Sequence, residues 1–198
     1  MSTILGAILH SKEFIIGLIG ALLGGFFTLF GTLVAQFLEN RREISKEKRE
    51  LKGVLQAFHT ELQTLWERYL STAGQKVEDL SPGNPLLMYW PITQDYFTIY
   101  STNARKIGEI EDPRLRKLLV TAYIRSRGLI DSFRMNNELN SKYEHFTALA
   151  NSTRSQIDIA NQNAYLKALK DYSSTLKEQH NELKQTIELL LREFTKQQ

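Results

Sequence analysis

The chain has 198 residues, a net charge of +3 and no cysteine. The missing thiols exclude a disulfide framework, a thiolate metal site and a cysteine nucleophile, and they agree with a reducing compartment. So small a positive excess does not by itself point to nucleic acid.

Residues 1–13 read as a short tail. From Phe14 to Leu38 no side chain is charged, and a helix of that length reaches roughly 37 Å, more than a hydrocarbon core of roughly 30 Å. The apolar run is too long for a secretory signal and leads straight into QFLENRREISKEKREL without a small-residue cleavage site. Residues 14–38 therefore predict a retained, single-pass transmembrane helix. Lys12 is the one basic residue before it, whereas Arg41, Arg42, Lys46, Lys48, Arg49 and Lys52 follow it. The positive-inside rule then puts the N-terminus outside and the C-terminal part in the cytoplasm.

Gly17, Ala21, Gly24, Thr28, Gly31 and Ala35 recur at alternating steps of four and three, making a seam of small residues. A second row, Gly20, Gly24, Thr28, Thr32 and Gln36, overlaps it, and the other faces carry Phe, Leu and Ile. Lipid offers no hydrophobic drive between helices, so close packing on small residues is what brings them together. Only one such segment occurs in the chain, and the seam predicts a homo-oligomer. Thr28, Thr32 and Gln36, the polar side chains of the span, either face a narrow water path in a ring or hydrogen-bond across helices.

Residues 39–198 are long enough for one compact core. Between Glu39 and Lys52 six basic residues face four glutamates, leaving +2, the pattern of an exposed helix near lipid headgroups rather than of a nucleic-acid arm. Leu51, Leu55, Phe58, Leu62, Leu65 and Tyr69 keep heptad spacing, so the anchor is expected to continue as one helix to about Tyr69. The glycines and prolines of STAGQKVEDLSPGNPLLMYWP predict a loop over about 71–92. Its residues Leu86, Leu87, Met88, Tyr89 and Trp90 either pack back on the bundle or offer a docking surface.

A short helix fits TQDYFTIYSTNARKI, stopping at Gly108. Asp112 then reads as an N-cap with Pro113 in the first turn, and Leu115, Leu118, Leu119, Ala122, Tyr123, Leu129, Ile130 and Phe133 form an amphipathic stripe. Leu139, Tyr143, Phe146 and Leu149 belong to its continuation or to a second helix. Leu169, Tyr172, Leu176, His180, Leu183, Ile187, Leu190 and Phe194 repeat the heptad rhythm, broken only by a polar His180. No sustained period-two alternation occurs, and the fold class is all-α: a membrane helix continuing into a helical bundle with long coiled-coil-like members.

Signs of chemistry are sparse. His10, His59, His145 and His180 are isolated, and no phosphate loop, dinucleotide fingerprint or nucleophile elbow occurs. No catalytic residue, metal ligand or cofactor is assigned. Arg125, Arg127, Arg134, Asn136 and Asn137 make one polar region that is either a solvated face or a contact for an anionic partner. Arg127, Arg134 and Asn137 join Leu86–Trp90 as candidate partner-binding residues. The partners implied are membrane lipid, further copies of the chain and a cytoplasmic protein, with nucleic acid not among them.

The stretch DYFTIYSTNARKIGEIEDPRLRKLLVTAYIRSRGLIDSF, with its Ile107-Gly108 stop and Asp112-Pro113 restart, resembles a recurrent pattern in uncharacterised bacterial proteins. These place a single N-terminal membrane helix before a small helical domain. In layout, though not in matched residues, the chain is also similar to membrane-pore accessory proteins of RNA-targeting CRISPR loci. The closely spaced arginine and histidine of helical HEPN-type RNases are missing. The resemblance implies an inner-membrane protein without catalytic activity, either a membrane-perturbing or pore-forming antiphage effector or a passive tether that recruits a cytoplasmic partner.

Overall fold

The computed structural model describes residues 12–91 and 96–196, apart from the side chains of Glu13 and Phe14. His10 and most of the tail at 1–13 lie outside these residues, as do Thr93, Gln94 and Asp95. The protein is all-α: no strand occurs among the described residues. It divides into two units, Met1–Glu50 and Leu51–Gln198, and the first helix, α1 (Lys12–Tyr69), contributes to both.

In the first unit every described side chain from Ile15 to Glu50 is exposed. The helix is long and apolar enough to cross a membrane. Two of its hydroxyls are satisfied within the helix: Thr28 donates to the Gly24 carbonyl at 2.8 Å and Thr32 to that of Thr28 at 2.7 Å. A Cβ added at Gly17, Gly20, Gly24 or Gly31 would meet nothing within 4 Å. Beyond the apolar run, the Arg41 guanidinium lies 4.7 Å from the centre of the Phe37 ring.

The second unit is built on two 41-residue helices, α5 (Pro113–Thr153) and α6 (Gln156–Lys196), which pack along each other. A link of two residues makes the pair antiparallel, and Arg154 takes the left-handed conformation (φ 53°) that the reversal needs. Asp112 caps α5 by accepting from the Arg114 amide at 2.8 Å, with Pro113 in the first turn. The stripe continues unbroken to Thr153, so Leu139 to Leu149 form a continuation and not a separate helix.

Phe58, Leu62 and Tyr69 of α1 are buried against this hairpin, while Leu51, Leu55 and Leu65 are half-buried beside them. The α6 seam is buried at all eight positions except Tyr172, which is half-exposed, and the neighbouring Ser173 is buried in its place. Full burial of a Phe or Leu side chain stabilises by about 1.5–3 kcal/mol. Phe58, Phe133, Leu115, Leu119 and Leu176, each at 0% exposure, are therefore major contributors.

The loop begins later than the glycine and proline content implies. Leu70–Gly74 is a single π turn and α2 (Gln75–Glu78) follows it, so helix persists to Glu78. Among residues 71–78 only Gly74 disfavours helix, and here it is required. A Cβ at Gly74 would lie 2.9 Å from both the Tyr69 ring and a Leu70 methyl, so the extra residue of the π turn fits only without one. The expected helix over 93–107 is instead two short pieces, α3 (Thr98–Thr102) and α4 (Ala104–Ile107). Asn103 separates them at φ −112°, its amide donating to the Ile99 carbonyl at 2.9 Å in competition with the helix. Gly108 ends α4 in the right-handed region, φ −64°, so the stop does not use glycine's left-handed freedom.

Candidate functional site

Three polar constellations, each drawing on distant parts of the sequence, shape one side of the second unit. The first lies at the π turn. The Tyr69 hydroxyl is 2.7 Å from His180 Nδ1, His180 Nε2 is 3.3 Å from Glu78 Oε1, and Lys184 Nζ reaches the same oxygen at 2.8 Å. Burial holds the His180 pKa below its ordinary value against the opposing pull of Glu78. The Lys184 hydrogen bond, seconded by His180, holds the Glu78 carboxyl below the usual carboxylate range. Burial, then the Glu78 charge, pushes the Tyr69 phenol up. Near neutrality these directions give a phenol donating to Nδ1 and an Nε2–H donating to Glu78. Lys177 closes the end of α2 by donating to the Glu78 and Leu80 carbonyls.

The second constellation is Glu61, 8% exposed. Its carboxylate accepts from the Ile99 amide at 2.7 Å, the Tyr100 amide at 3.2 Å and the Tyr123 hydroxyl at 2.7 Å. No side chain within α3 caps that helix; the carboxylate from α1 serves instead and matches the charge preference of a helix N-terminus. Burial and the Glu61 hydrogen bond push the Tyr123 phenol up, so it stays a donor.

The third holds residues 86–90 as an extended strap. Ser173 accepts from the Leu86 amide at 2.7 Å, and the Asn136 and Asn140 amides both donate to the Leu86 and Met88 carbonyls at 3.1–3.3 Å. Asn137 pairs with both main-chain groups of Trp90, at 3.0 and 2.8 Å. Tyr89 donates to Glu144 at 2.9 Å. Asn136 Oδ1 is the one buried side-chain polar atom without a partner among the described residues. In this strap Leu86 is buried, Met88 and Trp90 are half-buried, and Leu87 and Tyr89 are exposed.

Strap, π turn and helices together line a half-open cavity of about 340 Å³. Leu62, Tyr69, Phe97, Leu129, Leu183 and Ile187 are the buried part of its described lining, and the rings of Trp66, Trp90 and Tyr96 also contribute to its wall. Trp66 and Trp90 flank Tyr69 at ring-centre distances of 5.3 and 5.4 Å, and Trp90 meets Phe133 edge-on at 4.6 Å. Arg68 and Lys76, both exposed, also line it, and among the described residues no acidic side chain does. Among the described residues no cluster of three or more His, Asp or Glu side chains could hold a metal.

Of the residues singled out in the sequence, Leu86–Trp90 and Asn137 come together, with Asn137 clamping the strap. Asn136 is not on a solvated face; it is 0% exposed because the strap backbone lies on it. Arg127 sits over the rings of Phe97 and Tyr100 at 5.6 and 5.8 Å, whereas Arg134 pairs with Asp131 at 2.9 Å on the exposed side. Arg125 pairs with Glu182 of α6 at 3.0 Å. Gly17, Ala21, Gly24, Thr28, Gly31 and Ala35, with Thr32 and Gln36, lie in the first unit and are exposed. Glu61, Trp66, Arg68, Lys76, Glu78, Asn140 and Ser173 escaped sequence reasoning. Ser173, a small residue beside an apolar seam, was the one local sign of a close backbone approach. No family model matches the chain, and no curated protein or solved structure matches it either.

Proposed function

We propose that the protein is a membrane-anchored, self-associating protein of the bacterial inner membrane whose cytoplasmic helical unit senses or binds a partner. The observation that carries this reading is the small-residue face of α1. Gly17, Gly24 and Gly31 lie open with nothing within 4 Å of an added Cβ, on a helix long and apolar enough to cross a membrane. In lipid such a face gains packing only from another helix. The Thr28 and Thr32 hydroxyls are already bonded within α1, which favours close helix packing over a polar water path. In an antiphage setting, assembly through this face would perturb or permeabilise the membrane.

The mass of the detergent-extracted protein, corrected for bound detergent, tests the reading. A defined oligomer that Gly24→Ile dissociates is the expected result, and a monomer in both proteins overturns it. A second reading, a passive tether recruiting a cytoplasmic protein, is favoured by the exposure of Leu87 (58%) and Tyr89 (49%) on the strap. It predicts no growth arrest or depolarisation on overexpression, whereas an effector predicts both and their relief by Gly24→Ile.

A further inference from the structure

The cavity beside the strap is graded in chemistry. Leu129, Leu183 and Ile187 are buried, Trp66 and Trp90 are half-exposed, and Arg68 and Lys76 are exposed. Among the described residues neither cation is engaged in an ion pair and no carboxylate lines the space to neutralise them. Its volume, about 340 Å³, falls at the lower end of small-molecule sites. Trp and Tyr faces stack on planar rings and gain most from heteroaromatic ones. An arginine fork with a lysine nearby is suited to phosphate or carboxylate oxygens. A neutral apolar ligand would use the floor and leave the cations idle.

We propose that this cavity binds a planar heteroaromatic anion, its ring among Trp66, Tyr69 and Trp90 and its phosphate or carboxylate on Arg68 and Lys76. The inference rests on the reading of the second unit as a sensing or binding domain and supplies the class of ligand it takes. The strap furnishes the coupling. Met88, Tyr89 and Trp90 line the cavity and are held by Asn136, Asn137 and Asn140 through their main chain or, for Tyr89, by Glu144. A ligand that packs on Trp90 therefore stabilises the docked strap by mass action.

The chain has two tryptophans, Trp66 and Trp90, and both line the cavity, so intrinsic fluorescence of the full-length protein in detergent reports on this site. Titration with AMP and, separately, with nicotinate, neither of them fluorescent like tryptophan, is expected to give a saturable change below about 1 mM in at least one case. Saturation by AMP alone identifies a nucleotide-type ligand, and by nicotinate alone an aromatic carboxylate. Arg68→Gln/Lys76→Gln, which alters only exposed side chains, should weaken binding of the anion about tenfold or more and leave the weaker binding of adenosine unchanged. Equal affinity for adenosine and AMP, tighter binding of decanoate than of either aromatic anion, an unaltered double variant, or no saturation by about 1 mM would each overturn the proposal. Gly24→Ile keeps the cavity, so a variant that loses the oligomer still binds the anion. Failure of self-association and failure of the ligand site are thus read separately.

Discussion

Gly74→Ala pits helix propensity against packing. In an ordinary helix interior, alanine for glycine stabilises by about 0.8–1 kcal/mol. At Gly74 the new Cβ would lie 2.9 Å from the Tyr69 ring and from a Leu70 methyl, well inside contact distance. The leucine methyl can rotate away. The ring cannot easily follow, because its hydroxyl is tied to His180 at 2.7 Å and the rings of Trp66, Trp90 and Phe133 lie around it at centre distances of 5.3–6.0 Å. Displacing a packed ring by a few tenths of an ångström costs about 1–3 kcal/mol, so packing outweighs propensity and the net is a destabilisation of about 1 kcal/mol. For a unit of this size that lowers Tm by roughly 2–4 °C. Circular dichroism of thermal unfolding in detergent measures it, with Tyr69→Phe/Gly74→Ala as the second arm of a double-mutant cycle. Removing the hydroxyl frees the ring to shift, so the two changes together should cost less than their sum. A Gly74→Ala protein as stable as the parent, or strictly additive effects, would refute the claim that the Tyr69 ring requires glycine at position 74.

Glu61→Ala leaves the buried Tyr123 hydroxyl and the first amides of α3 without an acceptor, and urea unfolding should show a loss of about 3 kcal/mol or more; a loss below about 1 kcal/mol would mean that α3 is capped otherwise. Asn137→Ala removes both main-chain bonds to Trp90, so limited proteolysis should cut residues 79–91 faster while the helices stay protected. Because the folded-state pKa of His180 lies below its ordinary value, the unfolded chain binds the extra proton first. Stability is then full above about pH 6.5 and falls on acidification. Glu78, also depressed, extends the loss below the usual carboxylate range. Unfolding free energies followed from about pH 7.5 downward should decline, and His180→Gln should flatten the first part of that decline.

Periodicity was enough to find the long helices. A span without charge from Phe14 to Leu38, heptad seams at Leu51–Tyr69 and Leu169–Phe194, and the Asp112-Pro113 start are local signals, because each states which face of a helix avoids water. The strap, the π turn and the cavity are not local. Asn136, Asn140 and Ser173 look like surface residues until the backbone of residues 86–88 lies on them, since a buried carbonyl needs a donor wherever the chain happens to bring it. Gly74 reads as a helix breaker until the Tyr69 ring occupies the space its side chain would fill. Glu61 in a buried turn makes sense only with the amides of Ile99 and Tyr100 in reach, 38 and 39 positions away. Amphipathic spacing thus determined which segments are helical and which face is apolar. Tertiary packing alone decided where the polar groups found partners and where a cavity with two exposed cations was left.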